Sequence, residues 1–379
     1  KKESHEEEDD CARAPLPNGG SSEQDVEPKP AALVDAMPLS PECFVDAALA
    51  ELARRPKNPI HINDDQRDFL ALVTCKVEEI LAARREHGTD GTASAPAVKA
   101  ARIFLAGPGG AGKSEVIRIL QDMMRYFDLG CKAVASSNSA ARGIGGDTVH
   151  SSLHVNGKSK FKIAQLSGRP TPQLQDAWRD VEALIIEEIS LVSPTMLGGI
   201  SFRLCKARAA SHPWLRPDLF QDKDHMFGGI PLVVMLGDFM QLAPLDDKVR
   251  KSLIMEPKPY WIEDARIGRR IFWEGLTHIV FLRGTHRFVD RSVDPPQPCP
   301  VLPRLLEYMR APQGKRMPDD LWQSVQSWTA EAANKNEDQM QREGYEMAIA
   351  WEAVARLMQY RAARDAAGKR QMLLYVQAV

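Results

Sequence analysis

The chain has 379 residues, of which 44% are hydrophobic and 26% are charged, and its formal net charge is −2. This composition is ordinary for a globular protein, and the length is sufficient for two domains with their own cores. The net charge gives no sign of nucleic-acid binding, although residues 1–10 hold six carboxylates and the remainder is slightly basic. No run of 18 apolar residues is present, which excludes a membrane span.

The six cysteines are scattered along the chain, and none forms a C-x-x-C pair. This spacing predicts reduced thiols in an intracellular protein and argues against a disulfide framework or a zinc site. The sequence begins at Lys1 and not at Met. We therefore expect a fragment or a processed product, from which a targeting segment could be missing.

Residues 1–58 are acidic at first and then rich in Pro, Ala, Ser and Gly. Such a composition is typical of disorder, so we expect a disordered leader with room for one short helix at 43–54. Residues 64–84 carry apolar side chains on or near one face, which predicts a helix. Residues 87–97 have the Gly, Thr, Ser and Pro content of a loop.

From residue 101 onward, apolar runs typical of buried strands alternate with helical patterns. The predicted strands are 101–106, 132–136, 183–187, 231–236 and 278–282. This alternation predicts an α/β domain over 59–290, with a parallel sheet between helices. In such sheets the functional residues lie at the carboxyl ends of the strands.

Beyond residue 290 the pattern changes. Residues 294–300 resemble a linker because four of the seven are prolines. The predicted elements after it are helices at 302–310 and 319–329, a strand at 345–350, a helix at 351–367 and a strand at 372–378. We interpret 291–379 as a linker followed by the incomplete start of a second α/β domain.

The strongest motif is the phosphate loop Gly107-Pro108-Gly109-Gly110-Ala111-Gly112-Lys113-Ser114, which fits G-x-x-x-x-G-K-S/T without a mismatch. A predicted strand precedes the motif and a predicted helix follows it, which is the context that the motif requires. The glycines let backbone N–H groups point at phosphate oxygens, and the helix N-terminus adds positive potential. Lys113 is expected to reach the β- and γ-phosphates of a nucleotide, and the Ser114 hydroxyl to hold Mg²⁺.

Two further strand ends carry polar residues. The strand at 183–187 ends in Glu187 and Glu188, which supply a carboxylate to face a metal and a second to accept a proton from water. The strand at 231–236 is followed by Gly237-Asp238 and then Gln241, whose amide can orient water or sense a γ-phosphate. Each pattern alone is also compatible with a polar turn after a core strand.

Three other segments give weaker signals. The amide of Gln66 offers the donor and acceptor needed to read adenine. The stretch 135–150 is rich in small and hydroxyl residues, which lets a phosphodiester backbone approach. Arg287, after the fifth strand, could reach a nucleotide as an arginine finger.

The order and spacing of these motifs resemble the Pif-type (petite integration frequency) 5′-to-3′ DNA helicases of superfamily one, including the helicase part of Helitron-like transposons. The matching positions are Ile62-Asn63 with Gln66, 107–114, 135–150, Glu187-Glu188-Ile189-Ser190, 237–244 and 282–287. The resemblance runs from about residue 60 to 290 and continues weakly to 379. It implies a RecA-like phosphate-loop NTPase domain, followed by the truncated start of a second RecA-like domain.

The resemblance also implies a role for each matching residue. Glu188 would be the general base, Gln241 a γ-phosphate sensor and Arg287 a transition-state contact. Gln66 would read adenine, the loop 107–114 would bind the phosphates of ATP, and Ser114 with Glu187 would hold Mg²⁺. Ser137, Asn138 and His150 would contact single-stranded DNA.

The chain departs from the family pattern at several positions. Glu187 replaces an Asp, so its carboxylate lies one methylene further from the backbone. Ser136 and Asn138 replace Pro and Gly, and Phe288 follows Arg287 where the family has Gln. The last two helicase motifs are absent, so we expect the chain to be the front part of a helicase, unable to unwind duplex DNA by itself.

The resemblance therefore implies an ATP-dependent 5′-to-3′ DNA helicase that acts in repair, recombination, replication or telomere maintenance. The expected partner is single-stranded or forked DNA, bound weakly and with strong salt dependence. We expect an intracellular monomer, nuclear or mitochondrial if eukaryotic, without a membrane partner. One alternative is a non-catalytic or transposon-derived remnant of such a helicase, which Glu187 and the missing motifs keep open. Another is a different phosphate-loop NTPase of the signalling or transport class, which the 237–242 motif with Arg287 disfavours.

Overall fold

The computed structural model of the chain describes residues 39–55, 60–87, 98–156, 161–241, 244 and 252–283, with a few positions between 289 and 324. The acidic start of the leader, residues 1–38, lies outside the described residues. So do the predicted elements at 345–350, 351–367 and 372–378, and most of 302–329. No helix of the described residues is both long enough and apolar enough to cross a membrane.

The domain alternates helices and strands. The helices are α1 (Pro41–Arg54), α2 (Asp64–His87), α3 (Lys113–Tyr126), α4 (Asn138–Gly143), α5 (Val149–Ser152), α6 (Pro172–Arg179), α7 (Pro194–Arg208) and α8 (Glu263–Gly275). The strands are β1 (Ala101–Ala106), β2 (Gly130–Ala135), β3 (Asp147–Thr148), β4 (Val181–Glu187), β5 (Leu232–Gly237), β6 (His278–Phe281), β7 (Val289–Asp290) and β8 (Gln297–Pro298).

Six strands form one parallel sheet in the order β3-β2-β4-β5-β1-β6, while β7 and β8 pair separately as an antiparallel hairpin. The five strands predicted from the sequence are confirmed, with every end within two residues. The short edge strand β3 was not predicted. The parallel sheet confirms the predicted α/β class, and most of the expected second domain lies outside the described residues.

The sheet is buried on both faces, which explains why its strands are continuous apolar runs. Alternate residues of β1 point to opposite cores, so Phe104 belongs to one cluster and Ile103 and Leu105 to the other. Helices α1, α2 and α3 cover the second face, and α6, α7 and α8 cover the first. Because the covering helices fix both faces, a one-residue slip of any central strand would exchange the two cores.

Helix α1 belongs to this domain, although the sequence analysis placed it in a disordered leader ending at residue 58. The compact unit begins at Ser40, whose hydroxyl caps the helix by accepting a hydrogen bond from Cys43 N at 3.2 Å. Phe44 stacks on Tyr126 of α3, with 5.2 Å between ring centroids, and Val45 and Leu52 are buried. The domain boundary therefore lies near residue 40, and the helix expected at 43–54 is confirmed.

Helices α7 and α8 touch backbone to backbone through two glycines. A Cβ atom placed on Gly268 would lie 1.7 Å from the Pro194 carbonyl oxygen and 2.8 Å from Gly198 N. A Cβ atom on Gly198 would lie 3.2 Å from the Asp264 carbonyl oxygen. This contact holds α7, the helix that follows the Glu187-Glu188 turn, directly against α8.

We predict that Gly268→Ala lowers the free energy of unfolding by about 2–3 kcal/mol, because the added methyl group meets backbone atoms that cannot rotate away. Urea denaturation followed by circular dichroism measures the change. Gly143→Ala is the matched control, since a Cβ atom there meets nothing within 4 Å. Equal loss in both variants would show that the close contact between α7 and α8 is not required.

Candidate functional site

The parallel sheet gathers the predicted site residues at its carboxyl edge. Ala106, the last residue of β1, lies opposite Gly237 of β5 and Phe281 of β6. In the other half of the sheet, Ala135 of β2 lies opposite Glu187 of β4. The segments that follow these strand ends are therefore neighbours, although they are far apart in the sequence.

The phosphate loop has the backbone conformation that its glycines predict. Gly110 and Gly112 have φ angles of 83° and 81°, in the left-handed region that favours glycine. Gly112 is the N-cap of α3, and Lys113 is the first residue of that helix. The Lys113 Nζ donates to the carbonyl oxygens of Gly107 at 2.6 Å and Pro108 at 2.9 Å. The ammonium group thus lies over the loop, at the N-terminus of a helix suited to anions.

Gln66 is part of the scaffold beneath this loop. Its Oε1 accepts from Asn63 N at 2.9 Å, and Gln66 N donates to Asn63 Oδ1 at 2.9 Å, a reciprocal cap at the start of α2. Its Nε2 donates to the Ala111 carbonyl oxygen at 3.2 Å. The side chain is only 3% exposed, and a Cβ atom on Gly112 would lie 2.2 Å from Nε2.

Hydrogen bonds within the protein therefore compete with the expected contact between Gln66 and adenine. Both heavy atoms of the amide already make hydrogen bonds within the protein, and the amide is nearly buried. The spacing Asn-x-x-Gln before a helix is itself the sequence signal of such a cap.

The end of β6 closes the other side of the loop. The Leu282 carbonyl oxygen would lie 2.9 Å from a Cβ atom on Gly107, so only glycine fits there without displacement. Arg283 N donates to Asp65 Oδ2 at 2.8 Å, which ties the strand end to α2. The proposed arginine finger, Arg287, lies outside the described residues.

The carboxylates at the end of β4 lie in unequal environments. The pKa of Glu187 is raised to about 7 by burial and by the charge of Glu188, and the charge of Lys113 acts in the opposite direction. Strand β5 is the one strand between β4 and β1 in the sheet, so this strand end lies at the same edge as the phosphate loop. Glu188 has a φ angle of 52°, a left-handed conformation that is strained for a residue with a Cβ atom. This turn leads into a short 3₁₀ helix, Ile189–Leu191.

Two buried oxygen atoms near this turn have no hydrogen-bond partner among the described residues. They are Glu187 Oε2 and Ser136 Oγ, and the pairing of Ala135 with Glu187 places their residues at adjacent strand ends. Buried polar atoms are normally satisfied by protein, water or an ion. In the described part of the chain, no group of three or more His, Cys, Asp or Glu residues could hold a metal alone. The unsatisfied carboxylate oxygen nevertheless fits a hard cation that takes its other ligands from phosphate and water.

Asp238 fixes the position of Gln241. Asp238 is 7% exposed, and its carboxylate accepts from Met240 N at 3.0 Å and from Gln241 Nε2 at 3.1 Å. A Cβ atom on Gly237 would lie 3.0 Å from Ile189 N, so this turn packs directly on the segment after Glu188. The orienting role of Asp238 was not predicted, although the Gly-Asp turn was noted.

The 135–150 motif forms two capped helical turns beside β2. Ser137 Oγ accepts from Ala140 N at 3.3 Å at the start of α4, and Asn138 is exposed on its first turn. The His150 ring on α5 packs edge-to-face on Phe161, with 4.8 Å between ring centroids. Of the residues predicted to contact DNA, His150 is thus partly occupied by packing and Asn138 remains accessible.

We predict that Gln66→Ala lowers the free energy of unfolding by about 1–3 kcal/mol without any nucleotide, because it removes the cap on Asn63 N and the bond to the Ala111 carbonyl. Urea denaturation tests this, with Gln173→Ala on the exposed first turn of α6 as control. An unchanged unfolding midpoint, with a lost preference for adenine over guanine nucleotides, would restore adenine reading as the main role of Gln66.

We predict that the stability gain from Glu187→Gln depends on pH. A carboxyl whose pKa is raised on folding favours the folded state below the unfolded pKa and loses that contribution as the pH rises through about 7. The Gln variant should therefore exceed the wild type in Tm by about 2–4 °C at pH 8 and by much less at pH 5. This range is kept small because Glu187 is partly exposed to solvent, which screens its charge. Thermal melts in EDTA without nucleotide measure this.

The control for that experiment is Glu86→Gln, which removes one carboxylate from an exposed position at the end of α2. A pH-independent difference between Glu187→Gln and the wild type would show that the Glu187 carboxyl is not perturbed by its site.

The sequence matches the model of one protein family, described as PIF1-like helicase, over residues 90–292. ATP-dependent DNA helicase RRM3 of Saccharomyces cerevisiae is 32% identical over 221 residues, covering 55% of this chain and 28% of that protein. ATP-dependent DNA helicase PIF1 of Homo sapiens is 31% identical over 150 residues, covering 39% and 21%. The chain thus spans less than a third of the length of these relatives.

Among solved structures, Pif1 helicase from Candida albicans superposes with a TM-score of 0.42 and 22% identity, over 70% of this chain and 47% of that chain. Unliganded Pif1 from Bacteroides sp gives 0.41 and 20% identity, over 68% and 47%. The family match covers more than half of the chain, and it includes the phosphate loop, both carboxylates and the Gln241 turn. The chain belongs to the PIF1-like helicase family.

Proposed function

We propose that this chain is the nucleotide-hydrolysing domain of an ATP-dependent DNA helicase. The observation that carries the proposal is geometric: Lys113 lies over the phosphate loop at the end of β1, at the same sheet edge as the two carboxylates at the end of β4. A cation and two carboxylates at one strand edge supply the groups that phosphoryl transfer to water requires.

Each residue would act on a different part of the reaction. The loop N–H groups and Lys113 would bind the β- and γ-phosphates. Lys113 would then exchange its hydrogen bonds to the Gly107 and Pro108 carbonyls for bonds to phosphate oxygens. Ser114 and Glu187 would hold Mg²⁺, which neutralises phosphate charge when bound. Glu188 would accept the proton of the attacking water, and Gln241, held by Asp238, would orient that water.

Binding of Mg²⁺ would also change the protonation of Glu187. A carboxyl with a pKa near 7 is largely ionised only above neutral pH, and a cation favours the ionised form. The longer Glu side chain, in place of the family's Asp, therefore remains compatible with metal binding.

Single-stranded DNA is the proposed partner. The Ser137 hydroxyl accepts one hydrogen bond within the protein and keeps its proton to donate to a phosphate oxygen. Asn138 is exposed beside it, and His150 lies on the next capped turn. Lys162 is exposed near Phe161, while Lys158 and Lys160 lie outside the described residues. Translocation from 5′ to 3′, unwinding of forked DNA and roles in repair, recombination or telomere maintenance extend this proposal to the whole helicase.

We predict that Glu188→Gln binds ATP with the affinity of the wild type and hydrolyses it at least 100-fold more slowly, because an amide keeps the shape but cannot accept the proton. Binding is measured with a fluorescent ATP analogue, and turnover by phosphate release in the presence of single-stranded DNA.

Lys113→Ala is the comparison variant, since it should lose nucleotide binding as well as turnover. Unchanged turnover in Glu188→Gln would remove Glu188 as the base. Nucleotide binding without turnover by the wild-type chain would favour the non-catalytic alternative.

A further inference from the structure

A groove lies on the surface beyond the 135–150 motif. It has a volume of about 450 Å³, and its walls are the turn 154–156 on one side and the segment 165–169 on the other. The lining residues are His154, Val155, Asn156, Gln165, Leu166, Gly168, Arg169 and Arg203. No motif discussed above includes this groove.

One wall of the groove packs closely on α7 at Gly199, one turn before Arg203. A Cβ atom on Gly199 would lie 2.4 Å from the Phe161 carbonyl oxygen and 3.0 Å from Leu166 Cδ1. The segment that begins at Phe161 therefore rests directly on α7. Arg203, four residues after Gly199, then lies on the same face of the helix and faces the space between the two walls.

The charge of the groove is positive and is not balanced locally. None of the residues that line it in the described part of the chain is acidic. Arg203 is 8% exposed and donates to carbonyl oxygens, those of Leu153 at 3.5 Å and Gly168 at 3.3 Å.

Two further cations lie near Arg203. Lys206, one helical turn after Arg203, donates to the carbonyls of Ser167 and Gly168, and Arg169 is exposed at the rim of the groove. Burial lowers the pKa of Arg203, and burial with the charge of Arg203 lowers that of Lys206.

Among the described residues, the buried guanidinium of Arg203 donates to carbonyl oxygens. Such burial is costly, because neutral acceptors do not compensate the charge. An anion bound between Arg169 and Arg203 would provide that compensation. Arginine presents several N–H donors in a plane, which suits the oxygens of a phosphate group.

The backbone connects the groove to the 135–150 motif. Val155 N donates to the His150 carbonyl oxygen at 2.9 Å, so the groove wall is hydrogen-bonded to α5. The ring of His150 packs on Phe161, at the start of the opposite wall. The groove therefore adjoins the His150 end of the 135–150 motif.

We propose that this groove binds a backbone phosphate of single-stranded nucleic acid, between Arg169 and Arg203, as a subsite beyond the 135–150 motif. The proposal rests on the proposed function, since it assumes that the same strand contacts that motif. The exposed Gln165 and the His154 ring would lie beside the sugar and base of the bound nucleotide.

The test is the binding of a fluorescent oligothymidylate of about 20 nucleotides to the full chain at several salt concentrations, a length above known single-strand site sizes. We expect Arg169→Ala to weaken binding about 3- to 10-fold at low salt. It should also reduce the slope of log K against log salt by about 0.7, the value for one phosphate contact on a single strand. Arg169→Lys, which keeps the charge, should retain most of the slope.

Arg85→Ala is the matched control. Arg85 is exposed on α2, next to Arg84. Arg84 bonds to Glu182 at the amino end of β4, so this part of α2 lies away from the carboxyl edge of the sheet that carries the 135–150 motif. This variant should bind DNA as the wild type does, and all variants should keep the wild-type Tm and affinity for a fluorescent ATP analogue.

Three results would overturn the proposal. Equal affinity and salt slope in Arg169→Ala and the wild type would refute the groove alone and leave the proposed function intact. Arg169-dependent binding of inorganic phosphate that leaves the DNA affinity unchanged at constant ionic strength would make the groove a small-anion site and not a DNA subsite. Absence of DNA binding by the wild type would refute the proposed DNA partner and this subsite together.

Discussion

Parallel pairing of β1 with both β5 and β6 is the constraint on which the candidate site depends. The register sets Ala106 beside Gly237 and Phe281, so the phosphate loop, the Asp238 turn and the end of β6 begin at one level. Close contacts then fix how the segments after these strands lie against each other, because Gly107 packs on Leu282 and Gly237 packs on Ile189. Since interiors are packed as densely as crystals, a side chain at either glycine would move a whole strand end and the residues after it.

The site also holds features that are unfavourable for stability, and the surrounding sheet keeps them in place. Glu188 has a left-handed backbone conformation, Glu187 is a partly buried carboxyl with a raised pKa, and its Oε2 has no partner among the described residues. Strain and poorly compensated charge persist only where the surrounding structure determines them. Strand β4 provides this support, because it is paired on both sides, with β2 and with β5. The same features that cost stability leave the carboxylates available for chemistry.

The sequence was sufficient to predict the central sheet because buried parallel strands are apolar over their whole length, a signal independent of distant contacts. It was also sufficient for the phosphate loop, whose glycine φ angles follow from the motif. Other features depend on tertiary contacts. Composition predicts that α1 belongs to a disordered leader, whereas α1 packs on the domain through the contact of Phe44 with Tyr126 of α3. An amide such as Gln66 can read a base or cap a helix, and only the position of Ala111 decides which hydrogen bonds it makes here. The left-handed turn at Glu188 has no local sequence signal at all.

Helix α7 links the two regions that the proposals assign to nucleotide and to DNA. It begins shortly after the Glu188 turn, meets α8 at Gly198, carries the Phe161 segment at Gly199 and supplies Arg203 to the groove. At its last turn Arg208 is buried and donates to the carbonyls of Trp178, Val181 and Gly228, which anchors the helix at the start of β4. Close backbone contacts at Gly198 and Gly199 connect α7 to α8 and to the groove wall. Helix α7 is therefore the element through which a displacement of the Glu188 turn would reach the groove.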